Sequence, residues 1–322
     1  MKAAYFENYG SIEQLKVKAQ PIPEPADNEV LVRNHASSLN FGNVGHVKGE
    51  PFLIRAFTGF GSPKNHIPGG DVSGVVEKVG RQVTGFNPGD EVMGDAAESG
   101  FGAFAEYVTV KSNAVVPKPA NLSYEETATL PLAACTALAG LKKGSIQSGQ
   151  SVLIVGSTGS VGPFAVQIAK SYGAEVTAVC SGNKAGFVRS MGADHIIDYK
   201  IIEDFTGNDT KYDLVAGIAG THSMSDFKKK LTRTGIYVNI GGSMKQFSNA
   251  FITGPFLYLF SRQKFTMLMY MADNQSLLEV KQMAEEGAIK PTITKAFPLE
   301  QIREVYRYYE SGHAAGKIVI TI

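Results

Sequence analysis

The sequence predicts an α/β architecture: a compact β-barrel-like unit, a doubly wound parallel sheet, and a tail that returns to the first unit. Three observations carry this reading. Residues 1–121 hold short alternating apolar segments separated by Gly- and Pro-rich turns, the texture of many short strands. From Ser123 onward, buried-strand and helical patterns alternate, as βαβ units do. A string of glycines falls where the first of those strands meets its helix. A length of 322 residues suits about two domains, divided here as 1–121, 122–271 and a returning 272–322.

In the first part, Val30–Val32, Val72–Val79, Glu91–Val92 and Tyr107–Val110 read as strands, with turns at Pro68-Gly69-Gly70 and Asn87-Pro88-Gly89-Asp90. Ser123-Tyr124-Glu125-Glu126 is a helix start, with Ser at the cap and Glu at the third helical position. Strands then fall at Ser151–Val155, Glu175–Val179, His195–Ile197, Asp213–Ala216, Gly235–Ile240 and Lys264–Met271. Helical spacing runs through Val161–Tyr172, Lys184–Met191 and Met224–Leu231 between them. Beyond Asp273 the pattern leaves that sheet, with helices at Ser276–Glu286 and Glu300–Ser311 and a closing strand at Lys317–Ile322.

Composition narrows the partners. Apolar residues make up 43% and charged residues 19%, as an ordinary globular core requires. Thirty-one basic residues against thirty acidic ones give no general attraction to nucleic acid or an anionic membrane. Cys135 and Cys180 stand in apolar surroundings and read as buried thiols, not as a disulfide or metal cluster. The opening MKAAYFENYG lacks the basic-then-apolar run of a signal peptide, and Phe251–Met271 is interrupted by Pro255, Arg262 and Lys264. A cytoplasmic protein is the expectation.

The strongest chemical signal is Val152-Leu153-Ile154-Val155-Gly156-Ser157-Thr158-Gly159-Ser160-Val161-Gly162. Glycines 156, 159 and 162 let the backbone turn tightly and approach a pyrophosphate, while the helix N-terminus supplies free N–H donors and partial positive charge. Flanking strand and helix patterns give the context that the motif needs for dinucleotide binding. NAD calls for an acidic residue at the end of the second strand, to bond the ribose 2′-hydroxyl. Here that strand runs out into Ser181-Gly182-Asn183-Lys184. Ser181 offers a donor and Lys184 a charge, so NADPH is the expected cofactor.

Several ordered strings resemble the quinone oxidoreductase branch of the medium-chain dehydrogenase/reductase superfamily. They are Pro68-Gly69-Gly70-Asp71-Val72-Ser73-Gly74, Pro88-Gly89-Asp90-Glu91-Val92, Gly102-Ala103-Phe104-Ala105-Glu106-Tyr107, Leu130-Pro131-Leu132-Ala133-Ala134-Cys135-Thr136-Ala137, Met191-Gly192-Ala193-Asp194 and Gly312-His313-Ala314-Ala315-Gly316-Lys317. The insert Pro51–Asn65 looks like that of the enone reductases in this branch. The resemblance implies a GroES-like catalytic domain, a Rossmann cofactor domain and a cleft between them where nicotinamide meets substrate. It further implies Ser181, Lys184 and Tyr199 around the 2′-phosphate, and Gly241, Gly242 and Ser243 at the nicotinamide end. Lys317 would close over the cofactor, and Asn40 and Thr136 would line the nicotinamide pocket. Homodimers formed through the last strands of the cofactor domain are also implied.

In zinc-dependent members of the superfamily, Cys and His ligands hold the metal. Here Asn40 stands where the first Cys would fall and Gly70-Asp71 replaces a His-Glu pair. Two cysteines cannot make a four-cysteine lobe. His46 and His66 read as solvent-contacting loop residues. The expected reaction is hydride transfer to a quinone or an α,β-unsaturated carbonyl without metal, with Asn40, a backbone N–H or water stabilising the developing negative charge. Relatives carry an aromatic or basic residue five positions after the asparagine; Gly45 stands there, next to His46. Phe57, Phe60 and Phe247–Tyr258 suggest a hydrophobic acceptor. Two other classes compete: a zinc-dependent alcohol dehydrogenase with unusual ligands, and a non-catalytic NADPH-binding structural or RNA-associated protein. The second lacks a basic–aromatic stripe.

Overall fold

Alternating and continuous apolar runs become ladder pairing in the computed structural model, which describes residues 1–202, 209–220, 222–241, 262–270 and 272–322. The chain divides into two units. One is Met1–Cys135 with Met271–Glu286 and Pro291–Ile322; the other is Thr136–Tyr270 with Gly287–Lys290. The first segment therefore extends past residue 121.

The first unit begins with a two-stranded ladder, β1 (Lys2–Tyr5) and β2 (Lys16–Ala19). Then come the long β3 (Glu29–Leu39), helices α1 (Phe41–Lys48) and α2 (Arg55–Thr58), and strands β4 (Asp71–Val79), β5 (Glu91–Asp95), β6 (Tyr107–Lys111) and β7 (Val115–Pro117). Helix α3 (Tyr124–Thr127) starts at Ser123, whose side chain accepts from the Glu126 N–H while Glu126 reaches back to the Ser123 N–H, the reciprocal cap read from sequence. Helix α4 (Ala133–Lys143) follows, beginning in the first unit and continuing from Thr136 as part of the second.

The second unit carries β8 (Ser151–Val155), α5 (Gly162–Ser171), β9 (Glu175–Cys180), α6 (Ala185–Ser190), β10 (His195–Asp198), β11 (Tyr212–Gly217), α7 (Met224–Lys230), β12 (Leu231–Asn239) and β13 (Lys264–Met267). Its strands pair in the order β10-β9-β8-β11-β12-β13, every neighbour parallel. The near-continuous burial of β8 and β9 follows from cover on both faces. The order reverses at β8, and ligands of such sheets sit outside the carboxyl ends at that switch point. The glycine string leaves β8 at that end.

The tail adds α8 (Asn274–Glu285), β14 (Ile293–Pro298), α9 (Ile302–Glu310) and β15 (Lys317–Thr321). In the first unit these complete a seven-stranded sheet, β14-β15-β3-β4-β5-β7, with β6 also on β3. One core lies under β3, β15, α1 and α9, around Phe6, Leu39, Phe104, Tyr306 and Ile320; a second gathers Val30, Val32, Val72, Val92 and Val110. Each such side chain contributes about 1.5–3 kcal/mol by leaving water.

Strands β1, β2, β7 and β14 and helix α2 were not read from the sequence, and β3 runs well beyond Val30–Val32; three further elements differ. Helix α1 has weak amphipathic spacing, being buried over Asn43–Val47, and its glycines and polar residues masked it. Helix α4 was seen only as a family string. The strand expected over Lys264–Met271 ends at Met267. Residues 247–258 and Gly242 and Ser243 lie outside the described residues.

Candidate active site

In the second unit the glycines do three different things. Gly156 adopts φ +91°, and a Cβ there would stand 2.7 Å from Ala219 Cβ. A Cβ on Gly162 would lie 2.4 Å from the Gly156 carbonyl oxygen, so this residue lets the helix close onto the strand. A Cβ on Gly159 would meet nothing within 4 Å: that face of the loop is open. Ser157 is buried, and its N–H and hydroxyl both donate to the Val179 carbonyl, which ties the loop to β9. Thr158, Ser160 and Val161 are half-buried. Val161 occupies the cap position of α5 with no side-chain cap. From Thr158 to Phe164 no main-chain N–H has an acceptor among the described residues. Unpaired donors, an open glycine and a helix N-terminus together fit a pyrophosphate.

At the end of β9, Ser181 is buried and makes no cap bond, Lys184 is half-buried and Tyr199 is exposed. Burial lowers the pKa of Lys184, with Lys200 adding to the effect. The parallel register sets Asp198 beside Cys180, and a Cβ on Gly182 would come within 2.2 Å of the Asp198 carboxylate. A carboxylate therefore stands at this end after all, supplied by the next strand; a register of β10 on β9 drawn from the sequence would have found it. Gly241 follows β12, its N–H donating to the Gly217 carbonyl. The amide of Asn239, at the end of β12, is buried with neither atom hydrogen-bonded among the described residues. Thr136 is half-buried on α4.

In the first unit, four strand ends meet at one rim of the sheet. β15 pairs with β3 so that Ile318 faces Leu39, and β4 pairs with β5 so that Asp71 faces Asp95. Asn40, Asp71, Asp95 and Lys317 are thereby gathered, each at most 4% exposed. Asp71 Oδ2 accepts from Asn40 Nδ2 at 2.6 Å, from Lys317 Nζ at 3.3 Å and from the Ser38 hydroxyl; Oδ1 accepts from the Leu132 N–H at 2.9 Å. Lys317 Nζ also donates to Asn40 Oδ1 at 2.6 Å. An ammonium only donates, so it fixes which end of the Asn40 amide is oxygen. Burial lowers the pKa of Lys317, opposed by the charge of Asp71 and its hydrogen bond.

Asn40 sits at the cap position of α1, yet its side chain turns inward to this cluster while its N–H donates to Asn43 Oδ1. Its second amide N–H reaches Ser38 O at 3.5 Å. The ammonium of Lys317, a residue expected to close over the cofactor, is held by Asn40 and Asp71 within the first unit. Ser38, Asp71 and Asp95 were missed as site residues, although Asp71 lies in a quoted string. The signal that could have found them is a buried charge that requires a partner.

His46 is not a solvent-contacting loop residue. It lies buried in α1, between the rings of Phe6 and Phe101, with Nε2 on the Asn65 carbonyl at 3.1 Å and Nδ1 unpartnered. Burial pushes its pKa down to about 4. His66 is half-buried, stacked on Tyr5. Both cysteines are buried and neither forms a disulfide. Among the described residues no group of three or more His, Cys, Asp or Glu is placed to hold a metal ion, and no helix is long and apolar enough to cross a membrane.

Fold and glycine loop define an oxidoreductase that works with a nicotinamide dinucleotide, and comparison with known proteins agrees. The alcohol dehydrogenase GroES-like domain family matches residues 26–120, and the zinc-binding dehydrogenase family matches residues 191–320. A 2-methylene-furan-3-one reductase from Solanum lycopersicum is 34% identical, over 99% of this chain and 79% of its own. A chloroplastic quinone-oxidoreductase, QR1, from Triphysaria versicolor is 32% identical, over 99% and 98%. The solved quinone oxidoreductase of Coxiella burnetii superposes with a TM-score of 0.86 at 28% identity, over 100% and 99% of the two chains. The chain belongs to the medium-chain dehydrogenase/reductase superfamily, with quinone and enone oxidoreductases among its relatives.

Proposed function

We propose that this protein is an NADPH-dependent, metal-independent reductase of quinones or α,β-unsaturated carbonyls. The observation that carries the reading is the Asn40–Asp71–Lys317 cluster. The resemblance puts Asn40 and Gly70 where zinc-dependent members hold a Cys and a His ligand, with Asp71 next to Gly70 in place of a Glu. A built-in ammonium 3.3 Å from the Asp71 carboxylate would repel a dication, and four donors already occupy that carboxylate. Bound nicotinamide supplies hydride to an electrophilic carbon. The chain's part is to hold reactants in place and to stabilise charge on the acceptor oxygen. Both ends of the Asn40 amide are engaged within the cluster, so that stabilisation falls to backbone N–H groups, to water and to the positive end of the Lys317 array.

Phe41, Phe52 and Phe60 are 63%, 65% and 66% exposed, which favours a hydrophobic acceptor. Ser181, Lys184 and Tyr199 are the groups suited to a 2′-phosphate, with Lys200 adding charge against Asp198. The relatives' names support the acceptor class. A homodimer through β13 suits its position as the edge strand of its sheet.

The test is dinucleotide oxidation with NADPH and NADH in parallel, against quinones, enones, enals and simple ketones, with and without chelator. Turnover of conjugated acceptors with NADPH preferred, unchanged by chelator, is expected. Loss of turnover with chelator would overturn metal independence. NADPH binding with no turnover of any acceptor would overturn the enzymatic reading.

A further inference from the structure

Asp71 and Asp95 are directly opposite each other on the antiparallel β4–β5 ladder, so their side chains leave the same face of the sheet. They are 0% and 4% exposed, and Lys317, 1% exposed, is the cation of the cluster. Its ammonium bonds Asp71 and Asn40. Asp95 takes one hydrogen bond, from the Ala97 N–H to Oδ1 at 2.9 Å, and its other oxygen has no partner among the described residues. Gly70 makes room for this carboxyl: a Cβ there would press within 3.0 Å of Asp95 Oδ1. The charge count is therefore two buried carboxylates to one ammonium. A buried carboxylate without its own cation takes up a proton instead of staying ionised.

We propose that Asp95 is the proton store of this site, carrying the one exchangeable proton of the Asp71–Asp95–Lys317 cluster and releasing it as the reduced product forms. This rests on the reductase reading above. A bound dihydronicotinamide would supply the hydride and be oxidised in doing so. A new C–H bond forms on the acceptor, which is reduced, and its electron pair moves onto oxygen. The O–H bond of Asp95 then breaks, and its proton completes the product at the α-carbon or on oxygen by way of water, since Asp95 makes no hydrogen bond to the other cluster side chains among the described residues. Asp95 is left as a carboxylate and is reprotonated from solvent. The groups facing it are Asp71 on β4, Glu98 in the turn after β5, and Lys317 at the start of β15. Burial, and then the charge of Asp71, push its pKa from 3.8 up to about 7, where an acid serves best at neutral pH.

The experiment has two arms on the full chain and its Asp95→Asn variant. Infrared difference spectra of wild type against variant should show the carbonyl stretch of a protonated carboxyl below pH of about 7, lost on titration above it. With a conjugated acceptor, wild-type kcat/KM should fall as pH rises through the same point. Asp95→Asn should flatten that limb and lower the rate by about 10²–10⁴, the usual contribution of a general acid. No protonated-carboxyl band in the wild type overturns the proposal and leaves the reductase reading standing. A band without turnover of any acceptor overturns the reductase reading, and the delivery step with it. Asparagine has the shape of the neutral acid, so the variant should be at least as stable as wild type at alkaline pH. A variant that unfolds there shows the carboxylate was needed ionised and also overturns the proposal.

Discussion

The two units build their candidate sites from different materials. The second makes its glycine loop from backbone: three glycines, unpaired N–H groups and one helix end. The first makes its cluster from side chains drawn from β3, β4, β5 and β15, far apart in sequence. Backbone sites depend on local conformation, so a short string can encode one. A side-chain cluster depends on long-range pairing, and its members look ordinary where they stand. The loop should accordingly fail one residue at a time, and the cluster as a unit.

The largest effect should come from the cluster. Lys317→Met leaves Asp71 buried without its cation, and urea unfolding should show a loss of about 3–5 kcal/mol. Adding Asp71→Asn should recover much of it; additive losses in a double-mutant cycle would break the comparison, because the two residues would then not act together.

Acid should act on the same unit. The pKa of His46 is held at about 4 against an ordinary 6.5. As pH falls below 6.5 the unfolded chain takes up this proton and the folded chain does not until about 4. Its contribution is thus complete above 6.5 and lost on acidification through that window, about 3 kcal/mol in all. Asp95, raised from 3.8 to about 7, contributes with the opposite sign over the same window, so the His46 slope is read in Asp95→Asn: its urea midpoint should fall on acidification from 6.5 to about 4 and flatten when His46→Asn is added. An Asp95→Asn variant with no acid slope would place His46 in water.

The glycines sharpen the contrast within the loop. Gly156→Ala forces a side chain into φ +91° and against Ala219, and should cost about 1–2 kcal/mol of stability or more. Gly159→Ala enters open space, so the urea midpoint should hold while dinucleotide affinity drops about tenfold, ~1.4 kcal/mol. Equal effects on stability would show that the open face is packed.

The smallest effects belong to cofactor choice. Lys184→Ala should lower the NADPH-to-NADH preference in kcat/KM about tenfold or less, and Asp198→Asn should raise it by a smaller factor. A preference unmoved by either would place the 2′-phosphate elsewhere.

Fold class and loop were legible because they rest on short-range signals: apolar period, turn residues, a cap at Ser123 and glycines at one strand end. Even the boundaries of β8 came directly from its apolar run. Helix α1 escaped because Asn43, Gly45 and His46 are buried polar or small residues that no period flags. Asn40 and Lys317 were singled out by resemblance to different roles, and only the pairing of β15 with β3 made them partners.

By itself the sequence determined the architecture and the glycine loop between β8 and α5, since both are written in residues close enough to interact within a few turns of chain. Tertiary structure alone decided that His46 is buried and that two aspartates and a lysine share one rim. The physical reason is that charge pairing and burial depend on distance in space. A parallel or antiparallel register sets that distance, and no local stretch of sequence contains it.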